Sequence, residues 1–310
     1  MTITRRTFAA SLATAALVPA AAQPPYTVGI TTNTRGGWEK DVFLSFREAR
    51  EAGYRWVESF ISYFPEYLDH PQALKDKVDE IGVRFVTISN NAPVTEMHFE
   101  DAGKRGRIIE DHMRLVRLIK HLGCDHLKIN SGTRRPGGTT DADLKAMAAT
   151  YNELGKRVSG EGLKFGVHAH MWSQFENRHE VDRILDATDP QHVWFVLDTG
   201  HVTMAGMDPV ELTKKLGHRI IEFHLKDVDA RHLGGAKKRV ERNDPMKDPI
   251  FFELGSKGGV DFPALKAYLD RIGWKGWLTV ELDSSPFRPP RESAVISREY
   301  LDRVLHISSR

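Results

Sequence analysis

Eight short runs rich in β-branched and aromatic residues recur along this chain, and the stretches between them carry helical periodicity. The runs are "YTVGIT" (26–31), "YRWVESF" (54–60), "VRFVTIS" (83–89), "DHLKINS" (125–131), "LKFGVHA" (163–169), "HVWFVLD" (192–198), "IIEFHLK" (220–226) and "GWLTVEL" (276–282). Between them Ile108, Ile109, His112, Leu115, Val116 and Ile119 fall on one helical face, as do Val181, Ile184 and Leu185, and Phe262, Leu265, Leu269 and Ile272. Returns to the next strand carry glycine, at Gly53, Gly82, Gly123, Gly162, Gly217 and Gly273, which predicts helix C-caps. Nearly continuous apolar strands alternating with helices imply a parallel sheet buried on both faces. Eight such units in about 250 residues predict a single (β/α)8 TIM barrel. A doubly wound open sheet is the alternative, but "TTNTRGGWE" after the first strand lacks G-x-G-x-x-G spacing.

At 310 residues the chain can bury a large core, and its mean hydropathy of -0.41 is that of an ordinary soluble globular protein. One cysteine, Cys124, excludes an intramolecular disulfide framework and a cysteine-based zinc site. The first 22 residues read as an export signal of twin-arginine type. Arg5 and Arg6 precede the uncharged run "AASLATAALVPAAA", with an A-x-A cleavage site before Gln23. The expected mature chain, 23–310, is a barrel domain in the periplasm or otherwise exported, with no integral membrane span. Without Arg5 and Arg6 its 42 basic residues balance 42 acidic ones, so no global charge favours nucleic acid. The sequence leaves a homo-oligomer open.

Catalytic residues of such barrels sit at the C-terminal ends of strands, and polar residues gather there. They are Glu58; Lys128 and Asn130; His168 and His170; Asp198, then His201; His224, Lys226 and Asp227; and Glu281 and Asp283. Burying so many carboxylates and imidazoles together costs several kcal/mol unless something neutralises them. A divalent cation does that, and mixed imidazole and carboxylate ligands suit Mn, Co, Zn or Fe better than Mg or Ca.

"FVLDTGH", "IIEFHLKDV", "ELGSKGGVDFPAL" and "GWLTVELD" together resemble the xylose-isomerase-like barrels: sugar phosphate isomerases and epimerases, and inosose dehydratases. The stretch "HEVDRILDATDP…LDTGH…MDPVEL" is similar to the inosose dehydratase branch in particular. The resemblance implies one divalent metal held by Asp198, His224 and Glu281, with a fourth ligand from strand five. There the epimerase pattern has Glu and this chain has His168. His168 and His170 are expected on the same side of the strand, so either can ligate, and Glu176 can reach back from the loop. The resemblance further implies proton removal beside a carbonyl through a metal-stabilised enediolate, with Glu281 and His168 as acid and base. A histidine in place of the second glutamate weakens two-base epimerisation and keeps open β-elimination on an inosose or a 3-keto glycoside.

Several other residues have two readings. Lys226 polarises the carbonyl or holds a substrate hydroxyl, or pairs with Asp227. Glu58 binds substrate or is a structural carboxylate. His201 binds substrate or a metal-bound water, or starts a helix. Asn130 is a substrate-binding candidate from the end of strand four. Trp172 and Phe175 form an apolar wall for a sugar ring or ordinary packing. Asp283 orients a ligand, and His126, His192 and His218 are surface or structural. Residues 229–259, with Lys237, Lys238, Arg239 and Arg242, form a lid or a solvated loop. The expected partner is a small carbohydrate. The less favoured readings are a non-catalytic carbohydrate-binding barrel and a nuclease acting on abasic DNA.

Overall fold

A computed structural model describes residues 26–232, 242 and 244–308. The predicted export segment and Lys237, Lys238 and Arg239 lie outside the described residues. Eight parallel strands form one sheet: β1 (Tyr26–Thr31), β2 (Trp56–Phe60), β3 (Arg84–Ser89), β4 (His126–Asn130), β5 (Lys164–His168), β6 (Trp194–Asp198), β7 (Ile220–Leu225) and β8 (Gly276–Val280). Their order is β3-β2-β1-β8-β7-β6-β5-β4. Among the described residues no backbone ladder joins β3 to β4; side chains bridge that seam. Thr87 Oγ1 donates to the His126 carbonyl at 2.8 Å. The Asn90 side-chain amide stands in for a strand peptide, accepting from Asn130 N at 2.7 Å and donating to Asn130 O at 3.0 Å.

The helices are α1 (Val42–Glu51), α2 (Pro71–Ile81), α3 (Arg105–His121), α4 (Asp141–Gly160), α5 (Arg178–Asp186), α6 (Thr199–Met204), α7 (Pro209–Leu216), α8 (Phe262–Arg271) and α9 (Pro290–Arg303). The predicted α3 face is buried throughout, His112 included. Ile272, expected on the α8 face, is instead 44% exposed, because the helix stops one residue earlier. Five of the six predicted capping glycines have positive φ, between 62° and 94°. Gly217 does not: at φ -53° it carries the chain straight from α7 into a 3-10 turn.

Alternate residues of each strand point inward, and on several strands these build a polar column from floor to mouth beside Val86 and Val196. On β4 the inward series is His126, Lys128, Asn130; on β7 and beyond it is Glu222, His224, Lys226. At the floor His126 Nε2 lies 2.9 Å from Glu222 Oε2, and Thr279 Oγ1 also donates to Glu222. One level up, Glu58 enters the interior where the register between β2 and β3 shifts at Val57/Glu58.

The segment after β7 folds back as a short antiparallel ribbon, Asp227–Val228 against Phe251–Phe252. The Asp227 carboxylate accepts from four successive backbone N–H groups, Lys257 to Val260, at 2.9–3.2 Å. Of the predicted lid, the described part is thus a fixed roof that places Ile250 and Phe251 over the barrel mouth.

Outside the barrel, α4 approaches the chain before β6 so closely that a Cβ on Gly155 would lie 2.5 Å from the His192 carbonyl oxygen. Backbone cannot yield as a side chain does. Gly155→Ala is therefore expected to destabilise by about 1–3 kcal/mol from overpacking, despite the roughly 1 kcal/mol that alanine gains in helix propensity. Denaturant unfolding of the variant checks this, and a stability gain would refute the close packing.

Candidate functional site

His168, Asp198, His224 and Glu281 each bring a ligand atom into one buried cluster, all four atoms lying within 4.8 Å of one another. Two of these atoms make no hydrogen bond although buried: His168 Nε2, and Asp198 Oδ2, which meets only the Lys226 ammonium at 3.2 Å. Buried polar atoms in native proteins are normally satisfied, so the two orphans facing one cluster are informative.

Each orphan is created by a neighbour that occupies the group's other end. Asp198 ends β6 and caps α6: its Oδ1 accepts from His201 N at 2.8 Å, leaving Oδ2 for the cluster. His168 Nδ1 donates to Asn130 Oδ1 at 2.8 Å, which leaves Nε2 as a bare acceptor. Asn130 is in turn clamped by Asn90, whose Nδ2 lies 3.1 Å from His112 Nε2 on α3. His112 Nδ1 donates to the Ile108 carbonyl at 2.7 Å, so its Nε2 accepts from Asn90. Burial, which holds His112 at about 4, keeps this ring neutral. A chain of hydrogen bonds thus runs from an outer helix to the orphaned imidazole nitrogen.

His224 is held from both sides, with Nε2 2.9 Å from Glu58 Oε2 and Nδ1 2.6 Å from Glu281 Oε2. Burial alone would strip its proton, but the Glu58 and Glu281 carboxylates reverse that and hold it up to about 10. Glu58 is in turn neutralised by Lys128 Nζ at 2.8 Å and accepts from Ser89 Oγ at 3.0 Å. Burial, together with the Lys128 and His224 charges, keeps His168 well below the ordinary imidazole range and neutral. Burial pushes the Asp198 carboxyl up, whereas Lys226 and His224 hold Glu281 well below the carboxylate range against it. Two imidazoles and two carboxylates, with His168 Nε2 bare and Asp198 Oδ2 met only by Lys226, fit a divalent cation.

Above the cluster the barrel mouth opens into a cavity with two lobes, about 680 and 710 Å³. The inner lobe is lined by Lys128, Asn130, His168 and Glu281. The outer lobe is lined by Tyr63, Ile250 and Phe251. His170, Trp172 and Asp283 line both. Trp172 has φ +65°, a left-handed conformation that is costly for a bulky residue. It is held there from two sides: Arg134 N donates to its carbonyl at 2.9 Å, and its own N–H donates to Glu176 Oε2 at 2.5 Å.

Several sequence expectations change in three dimensions. His170 lies outside the four-atom cluster: it has turned aside to stack on His201, ring centroids 3.7 Å apart. Glu176 does not reach back to the cluster either, because its carboxylate takes the Trp172 N–H. Glu58 lines neither lobe; it is buried beneath the cluster as the counter-ion of His224 and Lys128. Lys226 and His201 also lie below the cavity lining. Lys226 Nζ sits 2.9 Å from Asp283, 3.2 Å from Asp198, 3.3 Å from Glu281 and 3.0 Å from His201 Nε2, so it neutralises the cluster. The alternative pairing with Asp227 does not form, since that residue's side chain takes the roof's N–H groups. Phe175 is fully buried against Phe195 and forms no cavity wall. His126 belongs to the barrel floor, and His218 is exposed. Asn130 and Trp172 do line the cavity. Sequence reasoning missed Asn90, Asn33 and Glu222; inward alternation on β7 could have exposed Glu222, whereas Asn90 carries no local signal.

A (β/α)8 barrel with a His/Asp/His/Glu cluster at its mouth is the class that fold and site define. The chain belongs to the xylose isomerase-like TIM barrel family, whose model matches residues 46–304. It is 29% identical over 178 residues to an inosose dehydratase of Lacticaseibacillus casei, covering 54% of this chain and 57% of that protein. The chain therefore spans about half the length of the curated relatives it matches. Among solved structures it resembles a sugar phosphate isomerase/epimerase from Parabacteroides distasonis, with TM-score 0.70, 20% identity, and coverage of 91% of this chain and 99% of that one. It also resembles the IOLI protein solved with a zinc atom, with TM-score 0.70, 17% identity, and coverage of 92% and 100%. The curated relatives it matches are inosose dehydratases, and the cluster in this chain offers four donor atoms that a divalent metal could take. No described helix is long and apolar enough to cross a membrane.

Asn130→Ala removes the bond that fixes the His168 tautomer while leaving all four cluster residues. Metal affinity is expected to fall about 10–100-fold, measured by competition with a chromogenic chelator. An unchanged affinity would show that His168 needs no orienting partner.

Proposed function

We propose that this protein moves a proton at the carbon beside the carbonyl of a keto-sugar or cyclitol, as a sugar isomerase or epimerase does. His168, Asp198, His224 and Glu281 would hold one divalent ion, Mn, Co, Zn or Fe. The observation that carries this reading is the pair of orphaned atoms, His168 Nε2 and Asp198 Oδ2, converging on one cluster beneath an open cavity. The bound ion supplies Lewis acidity toward the substrate's oxygens, lowering the cost of the negative charge left when the C–H proton departs.

The chain's own residues handle the proton. Glu281 lines the inner lobe and is kept ionised by the Lys226 ammonium 3.3 Å away, so its carboxylate accepts the proton from carbon. His170 stands in the cavity wall with Nδ1 donating to the Met171 carbonyl at 2.6 Å, which leaves Nε2 as the second proton carrier. Lys226, buried among three carboxylates, holds their charge in place without meeting substrate.

A second reading, β-elimination, has its own support. Glu281 is the one carboxylate of the cluster lining the inner lobe, and strand five offers the neutral His168 where a second glutamate would serve two-base epimerisation. The inosose dehydratase relatives point the same way. In this version the proton again goes to Glu281, the C–H electron pair forms the new C=C bond as the adjacent C–O bond breaks, and the leaving oxygen takes its electron pair and receives the proton back from Glu281.

Incubating the metal-loaded protein with a keto-sugar in heavy water separates these outcomes. Deuterium at the carbon beside the carbonyl with the carbon skeleton intact means isomerisation or epimerisation; release of water or an alcohol with an unsaturated product means elimination. Glu281→Gln is expected to lower either reaction by about 10²–10⁴-fold, and wild-type turnover in that variant would remove Glu281 from the chemistry.

We also propose that the protein works outside the cytoplasm. The paired Arg5 and Arg6 before an uncharged run and an A-x-A site support this. Mass spectrometry of the protein from its native cell should find a mature N-terminus at Gln23; an intact Met1 terminus in the cytoplasm would refute export.

A further inference from the structure

The cavity is larger than the chemistry proposed above requires, and its two lobes share Asn33, Phe60, His170, Trp172 and Asp283 but differ beyond them. The reacting cluster opens only into the inner lobe of about 680 Å³. The outer lobe, about 710 Å³, has Tyr63 and Phe251 to itself, shares Phe60 and Trp172 with the inner lobe, and is also lined by Arg35, Glu39 and Asp244. Ligand pockets of about 300–1,000 Å³ already enclose a drug-sized molecule, so a single sugar ring would leave one lobe as water.

We propose that the outer lobe is a subsite for a second ring. The substrate is then a glycoside, with its reacting sugar in the inner lobe and its aglycone or second sugar among the four aromatics. This rests on the reading of the inner lobe as the reacting site. Aromatic faces bury the apolar C–H face of a sugar or stack on an aryl aglycone. The four rings form two groups, Phe60 with Tyr63 at 6.5 Å between centroids and Trp172 with Phe251 at 6.4 Å.

Two further observations point to a ligand at the junction of the lobes. Trp172 lines both lobes and is held in a left-handed backbone by hydrogen bonds on either side. Strain of that kind persists where the surroundings enforce it, and it clusters at binding sites. Asn33 also lines both lobes, and its Oδ1 is buried without a hydrogen-bond partner. Turning the Asn33 amide toward the cavity would let this acceptor take a hydroxyl of a ligand that bridges the two lobes.

The test is calorimetric titration of the full mature, Mn-loaded protein with phenyl β-D-glucopyranoside and methyl β-D-glucopyranoside. Neither carries a carbonyl, so binding is read without turnover. The phenyl compound is expected to bind at least tenfold more tightly than the methyl one. Tyr63→Ala, which touches only the outer lobe, and separately Trp172→Ala, should each reduce that ratio at least fivefold. Equal affinities in the wild type, or a ratio unmoved by both variants, would overturn the subsite. Deuterium exchange into a one-ring keto-sugar reports the inner-lobe chemistry independently. Exchange with equal affinities sinks only the second-ring subsite. A tenfold ratio without exchange upholds the subsite and sinks the reaction.

Discussion

The barrel can hold its polar interior only because opposite charges are stacked within contact of each other. Glu58 is the hinge of that arrangement. It lies 2.8 Å from Lys128 and 2.9 Å from His224, which in turn lies 2.6 Å from Glu281. Lys226 then joins Glu281, Asp198 and Asp283. An isolated ion at any of these positions would meet a desolvation cost of several kcal/mol, but each has a partner of opposite sign. The compensation is incomplete at one place, where His168 Nε2 and Asp198 Oδ2 face the cluster with no hydrogen-bond partner. Everything proposed about the chemistry follows from that gap.

The gap is held open by residues that never touch it. Asn130 fixes His168, Asn90 fixes Asn130, and His112 fixes Asn90. The same asparagine, Asn90, bridges the one seam where β3 and β4 lack a described ladder. Barrel closure and imidazole orientation therefore share a side chain, which ties the stability of the fold to the geometry of the site. The loop after β5 shows the same coupling. Glu180 belongs to the capping box of α5, pairs with Arg134 at 2.7 Å and receives Glu176 N at 2.7 Å. That bracing keeps Trp172 in a conformation its own preferences disfavour.

All eight strands and the faces of α3, α5 and α8 were legible in the sequence, because hydrophobic period and glycine punctuation are local signals. Asp198, His224, Glu281 and His168 were legible as well, since strand ends of a barrel face one mouth. The roles of other polar residues were not. His168 and His170 are two residues apart and look equivalent along a strand, but β5 ends at His168 and His170 has already turned aside to stack on His201. Glu58 and Lys226 sit at strand ends like ligands, but each is surrounded by opposite charges and excluded from the cavity lining.

Sequence by itself therefore determined the number and order of strands, the mouth of the barrel as the place of the site, and the residue types available for it. Periodicity and capping act within a few residues of each position, so one chain read in order contains them. Tertiary structure decided which polar groups pair, which remain bare and which reach the cavity. Those outcomes depend on distances across the barrel, between residues as far apart in sequence as Glu58 and His224, and on the desolvation that makes each pairing matter.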